Sequence, residues 1–150
     1  MSAAAVTAGE VMLRVACPGC ATVNRLARER MGDGPKCGRC GLALLDGAVA
    51  ELDAGNFDAV VGGTELPVLV DFWAPWCGPC RAMAPMLAQA ARSLATEARF
   101  AKVNTDQAQE LAARYAIRAI PTLILFKGGR EAKRASGAMD PGALARWIRS

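Results

Sequence analysis

The chain reads VLVDFWAPWCGPC from Val68 to Cys80, so a strongly apolar run leads directly into two cysteines. The run Val68 to Trp73 is rich in β-branched and aromatic residues, which predicts a strand covered on both faces. The segment Pro79 to Ala95 is rich in Ala, Met and Leu and predicts a helix. Cys77 then lies at the start of that helix, where unpaired amides and the helix dipole favour a thiolate. Cys80 shares its helix face and is placed to attack a mixed disulfide formed on Cys77.

Strand and helix patterns alternate on both sides of this segment, from about Val49 to the end of the chain. Further strands are predicted at Arg99–Asn104, Thr122–Lys127 and Arg130–Ser136, and further helices at Asn56–Val61, Gln107–Tyr115 and Pro141–Ile148. Pro85 predicts a kink in the helix that follows the two cysteines. Gly128-Gly129 predicts a two-residue hairpin, and Asp140 is expected to cap the last helix. This order predicts an α/β fold, a mixed central sheet with helices on both faces.

Asp71 places a charge inside the run that is otherwise predicted to be buried. Burying a carboxylate is costly, and such a group normally responds with a raised pKa. A buried carboxyl near the helix start can accept the proton of Cys80 when that thiol attacks. The alternative is a solvated aspartate at a strand end. Lys102, in the predicted neighbouring strand, is a candidate ion-pair partner for Asp71 or else an ordinary surface lysine.

The remaining four cysteines form two CxxC pairs near the N-terminus, Cys17/Cys20 and Cys37/Cys40, with 16 residues between the pairs. This spacing is typical of a zinc site with four thiolate ligands, and the chain has no histidine to take their place. Iron or an iron–sulfur centre, and disulfide or redox use, are the alternatives. A unit of this size requires a metal or disulfides to fold. We therefore predict a metal-binding domain over residues 11–45, with residues 42–55 forming the junction to the second domain.

The charge distribution argues against a nucleic-acid partner. The net charge is +4, with six basic and four acidic residues in the first 50 and twelve and ten in the rest. The signs interleave, without a long basic run or clustered aromatic residues. No stretch has the roughly 18–20 apolar residues of a membrane-spanning helix, and Met1 to Glu10 lacks the basic and apolar regions of a signal peptide. We expect a cytoplasmic protein with neither nucleic-acid nor membrane partners.

The segment Val70 to Cys80 resembles the active-site segment of the thioredoxin family, and Ile120-Pro121-Thr122 resembles its cis-proline loop. The resemblance covers about residues 49–150. With the four-cysteine segment included, the whole chain resembles the zinc-containing thioredoxin-2 type. It implies a thioredoxin fold at 49–150 preceded by a small zinc-ribbon domain at 11–45, and a monomeric protein. It also implies one structural Zn²⁺ and no bound organic cofactor, with the metal held by Cys17, Cys20, Cys37 and Cys40.

The resemblance implies a role for each matching position. Cys77 would be the attacking nucleophile and Cys80 the resolving thiol, with Asp71 as the buried acid/base and Lys102 beside it. The flat apolar surface that receives substrate disulfides would consist of Trp76, Gly78, Pro79, Ile120, Pro121, Gly137 and Ala138. The chain departs from the family at Ala116 and Ala119, where glycine is frequent, and this affects the shape of the substrate-facing loop.

These residues lead us to expect a general protein-disulfide reductase that acts on disulfide-containing proteins. The resemblance implies that an NADPH-dependent thioredoxin reductase recharges it. The dipeptide Gly78-Pro79 favours reduction over oxidation or isomerisation. One alternative is a redox-sensing or chaperone-like binding module, switched when oxidation releases zinc from the four-cysteine site. Another is a dedicated reductase that docks a single partner through the zinc ribbon.

Overall fold

The computed structural model describes residues 11–150, which begin with a two-stranded hairpin and continue into a five-stranded sheet. The strands are β1 (Met12–Ala16), β2 (Val23–Ala27), β3 (Val49–Leu52), β4 (Val68–Trp73), β5 (Arg99–Asn104), β6 (Thr122–Lys127) and β7 (Arg130–Ser136). The helices are α1 (Phe57–Gly62), α2 (Gly78–Ser93), α3 (Gln109–Arg114) and α4 (Pro141–Arg149), with a 3-10 helix at Arg28–Asp33. The expectation that Met1 to Glu10 carries no signal peptide lies outside the described residues.

The larger sheet has the strand order β3-β5-β4-β6-β7. β3, β5 and β4 run parallel, whereas β6 and β7 are antiparallel to their neighbours. β4 is therefore hydrogen-bonded on both edges, and five of its six residues are buried. The predicted mixed sheet with helices on both faces is confirmed, and it places the end of β4 at the centre of the molecule.

Alternate residues of the sheet supply two separate cores. Val70 and Phe72 face α1 and α3 in a cluster that also contains Phe57 and Leu111. On the opposite face, Leu69 and its neighbours pack against α2 and α4, in a cluster with Met83, Leu87 and Leu144. Because side chains alternate along a strand, Asp71 lies on the same face as Leu69 and is directed towards α2.

The four strands predicted from Val68 onward have the expected bounds, and the helices differ by one or two residues at their ends. The prediction for residues 42–55 is wrong in one respect, because this junction contains β3. β3 has only four residues, too few to establish a period of two in the sequence. Its identity as a strand follows from pairing with β5, a long-range contact that local sequence does not report.

β7 forms one edge of the larger sheet. Its side chains are mostly exposed and include three cations, Arg130, Lys133 and Arg134. Its pairing with β6 is interrupted by a register shift at Leu125/Phe126. Gly128 and Gly129 between the two strands have φ values of +61° and +78°, as the two-residue hairpin requires.

Residues 12–45, termed the ribbon, form a small unit with its own core. β1 and β2 pair antiparallel from Met12↔Ala27 to Ala16↔Val23. The hairpin end carries the first CxxC turn, and an isolated bridge between Lys36 and Ala43 closes the second. Its buried cluster consists of Leu13, Val15, Cys17, Leu26, Met31, Cys37, Leu44 and Leu45, together with Leu66 from the connection between α1 and β4.

The α1–β4 connection is where the ribbon rests on the five-stranded domain. The Ala16 amide donates to the Thr64 hydroxyl over 3.2 Å. The Glu65 carboxylate accepts from the backbone amide of Arg14 at 2.7 Å and from its guanidinium at 3.3 Å. With Leu66 in the ribbon's own core, three consecutive residues bind the two units together.

A second contact is made by a buried cation. Arg99, at the start of β5, is only 5 % exposed. Its guanidinium donates to the carbonyl oxygen of Leu44 in the ribbon. Arg99 pairs in register with Val68, at the N-terminal end of β4. The ribbon is therefore attached at the end of the sheet opposite to Cys77.

Within residues 11–150, none of the helices combines the length and the hydropathy needed to cross a bilayer.

Candidate redox and metal sites

Cys77 caps the N-terminus of α2. Its backbone is extended, with φ −82° and ψ 115°, and its sulfur accepts a hydrogen bond from the Cys80 amide at 3.2 Å. The two cysteines form a disulfide with their Cα atoms 5.2 Å apart. After reduction, the same amide and the helix N-terminus would stabilise a thiolate on Cys77. The arrangement is that of a reversible dithiol–disulfide pair at a strand-to-helix turn.

The loop before β6 lies against this pair. The Ile120-Pro121 peptide bond is cis. The carbonyl oxygen of Ile120 is 3.8 Å from Cys77 Sγ, and the Ile120 side chain packs on the cluster formed by Ala74 and the two cysteines. The predicted cis-proline loop is therefore placed directly beside the sulfur of Cys77.

The other predicted surface residues surround the same point. Trp76 is 68 % exposed, and its indole nitrogen donates to the Asp106 carboxylate at 3.2 Å. Gly78, Pro79, Gly137 and Ala138 are exposed as well. The Gly137 amide donates to the Pro121 carbonyl at 2.9 Å, which joins the end of β7 to the cis-proline loop. Their role in substrate binding remains a prediction.

Two features of this surface were not apparent from the sequence. Asp106 lies in a turn after β5, and no pattern of spacing connects it with Trp76, 30 positions away. Ala116 adopts a φ of +50°, a conformation that favours glycine. The departure from the family at Ala116 therefore introduces a strained backbone position, whereas Ala119 has no positive φ.

Asp71 is buried, with 3 % of its surface exposed. Burial raises its pKa to about 7, and the positive charge of Lys102 opposes this only in part. Its Oδ1 has no hydrogen-bond partner among the residues described. Asp71 and Cys80 line the same cavity of about 260 Å³. A carboxyl with this pKa can hold or release a proton at neutral pH, within the cavity that Cys80 also lines.

Of the two possibilities for Lys102, the ion pair with Asp71 is not formed within residues 11–150. Lys102 Nζ lies 3.4 Å from an oxygen of Glu51 and 5.2 Å from the centre of the Trp73 ring. Sequence reasoning missed Glu51, because β3 itself was not identified. The solvated position of Glu51 explains the outcome, since an ammonium loses less hydration there than beside a buried carboxyl.

The four remaining cysteines converge in the ribbon. Their sulfurs all lie within 4.8 Å of one another, with 3.5 Å between Cys17 and Cys40 and 3.7 Å between Cys20 and Cys37. Four sulfurs placed tetrahedrally about zinc at about 2.3 Å are about 3.8 Å apart. The cluster therefore fits a zinc ion in size and in ligand type.

The pKa values of Cys37 and Cys40 also indicate that the cluster binds a cation when all four cysteines are ionised. Hydrogen bonds from the Cys40 backbone and the Asn24 side chain lower the pKa of Cys37 to about 6. In Cys40 the backbone of Leu42 acts in the same direction, but the Cys17 sulfur and burial outweigh it and raise the pKa to about 11. Thiolates packed this closely repel one another. All four can be ionised together only around a positive charge.

Comparison with known proteins separates the chain into the same two parts. A family model described as thioredoxin matches residues 48–150, and a second, described as thioredoxin 2, N-terminal, matches residues 16–42. Thioredoxin C-3 of Corynebacterium nephridii is 40 % identical over 134 residues, covering 89 % of this chain and 92 % of that protein. Thioredoxin 1 of a Nostoc species is 42 % identical over 101 residues, 67 % of this chain and 94 % of its own. The chloroplastic thioredoxin M5 of rice is 44 % identical over 100 residues, 67 % of this chain and 58 % of its own.

Proposed function

The chain belongs to the thioredoxin family, and we propose that it is a cytoplasmic, general protein-disulfide reductase. The observation that supports this most directly is the Cys77–Cys80 pair at the start of α2, beside the cis-proline loop. The proposed substrates are proteins with accessible disulfides. The proposed electron donor is an NADPH-dependent thioredoxin reductase, which would return the pair to its dithiol form. We further propose that the protein acts as a monomer.

In the first step, the Cys77 thiolate attacks one sulfur of the substrate disulfide. A mixed disulfide forms between Cys77 and the substrate, and the other substrate sulfur leaves as a thiolate. The Cys80 amide, 3.2 Å from the Cys77 sulfur, stabilises the attacking thiolate. The exposed Trp76 and the Ile120-Pro121 loop bound the surface on which the substrate chain would lie.

In the second step, the Cys80 thiol gives its proton to the Asp71 carboxylate and attacks the Cys77 sulfur. The Cys77–Cys80 disulfide forms, and the second substrate sulfur leaves and takes up a proton. Two electrons have then passed to the substrate, and the protein is oxidised. The raised pKa of Asp71 and the cavity it shares with Cys80 support this assignment.

The proposal includes one structural zinc ion in the ribbon, held by Cys17, Cys20, Cys37 and Cys40. When bound, the ion would balance the four thiolates and stabilise a unit too small to fold on its own core. The zinc site lies at the opposite end of β4 from Cys77. The ribbon contacts Leu66, just before β4, and Arg99, which is paired with the first residue of β4. No step of the exchange reaction involves it.

The observations do not favour the redox-sensing or chaperone-like alternative. The matched relatives carry the names of thioredoxins, and the ribbon is held by buried contacts rather than by a free linker. A dedicated reductase docking through the ribbon gains no specific support either, because the ribbon does not border the Cys77 surface.

The proposed function is tested by NADPH-coupled reduction of insulin with a bacterial thioredoxin reductase. We expect Cys77→Ser to abolish turnover, and Cys80→Ser to accumulate a mixed disulfide detectable by intact mass. Circular dichroism on the same samples controls for folding, and metal analysis reports the zinc content. Full turnover by the Cys77→Ser protein would overturn the proposal.

A further inference from the structure

Three charged side chains form a row across the face of the sheet that contacts α2. Glu51 on β3 is in register with Lys102 on β5, and Lys102 is in register with Asp71 on β4. Residues paired across adjacent strands point to the same face. Lys102 is therefore flanked by two carboxyls, one near the edge of the sheet and one in its centre.

Lys102 is engaged with the outer carboxyl. Its Nζ is 3.4 Å from Glu51, whose side chain is 77 % exposed, and no ion pair with Asp71 occurs within the described chain. The ammonium also lies over the Trp73 ring, 5.2 Å from its centre. These two contacts hold the lysine at the outer side of the row.

Two cavities meet at Lys102 and Trp73. The outer one, about 290 Å³, is lined by Glu51, Lys102 and Trp73 among others. The inner one, about 260 Å³, is lined by Lys102 and Trp73 together with Asp71 and Cys80. The lysine side chain thus has space on both sides and can be drawn towards either carboxyl.

We propose that Glu51 is a positioning residue that draws the Lys102 ammonium outward, away from Asp71, and so leaves the Asp71 carboxyl free to exchange a proton with Cys80. The inference rests on the proposed role of Asp71 in the second step. An ammonium in direct contact with Asp71 would hold it as a carboxylate and make it a poorer proton acceptor. Glu51 acts on the reaction only through Lys102 and does not touch the reacting sulfurs.

The surroundings of Asp71 contain few other groups that could have this effect. The neighbouring strand β6 presents the apolar Leu123 in register with it. The titratable or charged residues facing the two cavities are Cys80 and Arg81 of α2, Lys102 of β5, Glu51 of β3 and Asp53 just after β3. The Arg81 guanidinium is bound to the Pro75 carbonyl at 2.9 Å. Lys102 is therefore the cation whose position matters for Asp71.

The test is a carboxyl NMR titration of Asp71 in the oxidised protein, in which the Cys77–Cys80 disulfide leaves no thiol beside it to titrate, combined with the pH profile of insulin reduction. In Glu51→Gln we expect the Asp71 pKa, about 7 in the unchanged protein, to fall by roughly half a pH unit. The pH profile should shift in the same direction. Glu51→Asp should lower the Asp71 pKa by less than Glu51→Gln does, because it keeps a carboxylate at that edge.

Two further variants separate positioning from a simple loss of charge. Glu110→Gln removes the same charge from an exposed position in α3 and should leave the Asp71 titration unchanged. In a Lys102→Met background, Glu51→Gln should have no further effect on that titration. An unshifted titration in Glu51→Gln, or a shift that persists at full size without Lys102, would overturn the inference.

The NMR titration also distinguishes this inference from the proposed function. If Asp71→Asn reduces insulin at the normal rate, the assignment of Asp71 as proton acceptor is wrong. The effect of Glu51 on the Asp71 titration would still be measured in that case. If the Asp71 pKa falls in Glu51→Gln but the pH profile of insulin reduction does not change, the Glu51–Lys102 pair has no effect on the reaction, and that part of the inference is wrong.

Discussion

Asp71 is the residue at which stability and reactivity conflict. Its carboxyl lies in a core strand, and one of its oxygens has no hydrogen-bond partner within residues 11–150. An apolar side chain at the same position would not carry this cost. The cost depends on pH because it is the charged form that burial disfavours. The proposed role of Asp71 as proton acceptor would account for a carboxyl at this position.

We predict that Asp71→Asn stabilises the protein in a pH-dependent manner. Near pH 3.8, the ordinary pKa of this group, the carboxyl is half ionised in the unfolded chain and still protonated in the folded one, so the substitution should change the stability by less than about 1 kcal/mol. As the pH rises towards about 7, the unfolded chain ionises first, so the native protein loses stability. Above pH 8 the variant should be more stable by about 4 kcal/mol.

Urea unfolding of both oxidised proteins at pH 4 and pH 8.5 measures this difference. The variant should also resolve a mixed disulfide on the order of 100-fold more slowly at pH 7. An equal gain in stability at both pH values would show that shape or packing, rather than charge, is responsible.

At the scale of single residues, the sequence predicted the reactive groups but not the ion-pair partner of Lys102. Cys77, Cys80 and the burial of Asp71 could be predicted because strand and helix patterns place them locally. The partner of Lys102 could not, because Glu51 is 51 positions away and its strand is too short to recognise. Contacts of this kind depend on sheet order, which local patterns do not encode.

At the scale of single elements, the two CxxC turns of the ribbon share a backbone hydrogen bond but differ in the residue that follows the second cysteine. In each, the first cysteine's carbonyl accepts from the residue after the second cysteine, Ala21 at 2.8 Å and Gly41 at 2.9 Å. Both residues have positive φ, +65° for Ala21 and +78° for Gly41. Alanine is strained in this conformation, whereas glycine is not.

We predict opposite effects from exchanging these two residues. Ala21→Gly should stabilise the ribbon by about 0.5–1 kcal/mol, the relief of strain less the greater freedom of the unfolded chain. Gly41→Ala should destabilise it by about 1 kcal/mol, and purely through the backbone, because an added Cβ at Gly41 meets no atom within 4 Å. Competition with a chromogenic zinc chelator measures both. If both substitutions changed zinc retention in the same direction, backbone strain at these two positions would not be the cause.

The sequence predicted the elements of the larger domain well and the ribbon less completely. Long runs such as Val68 to Trp73 and the helix from Pro79 have strong periods, so their positions were correct to within two residues at either end. β1 and β2 were not predicted, because their five-residue segments contain polar residues such as Asn24 and Arg25. The cysteine spacing identified the site without identifying the hairpin that carries it.

At the scale of the whole molecule, the ribbon and the redox pair are attached to opposite ends of β4. The ribbon contacts Glu65 and Leu66 just before the strand, and Cys77 lies in the turn just after it. Six residues of extended chain separate these ends by about 20 Å. The surface proposed to bind substrates therefore lies away from the ribbon.

We predict that Arg99 contributes to the stability of this arrangement. Arg99→Met should leave the Leu44 carbonyl without its buried donor and destabilise the protein by about 2–3 kcal/mol. Zinc should also be released faster to a chelator, because the positive charge of Arg99 acts on the Cys17 sulfur. Arg92→Met, an exposed position on α2, is the matched control. Identical unfolding curves for the two variants would show that the buried contact carries no net free energy.

The charged side chains of the edge strand β7 affect how the protein would interact with the extended segments of its proposed substrates. The proposed substrates lose covalent cross-links and expose extended segments, which can add to any free sheet edge. Arg130, Lys133 and Arg134 place three cations along that edge, and the register shift near Phe126 disturbs its regularity. A foreign strand added there would have to accommodate Arg130 and the ion pair between Arg134 and Glu131. The charged side chains and the irregular register of β7 therefore disfavour the addition of a substrate segment to this edge of the sheet.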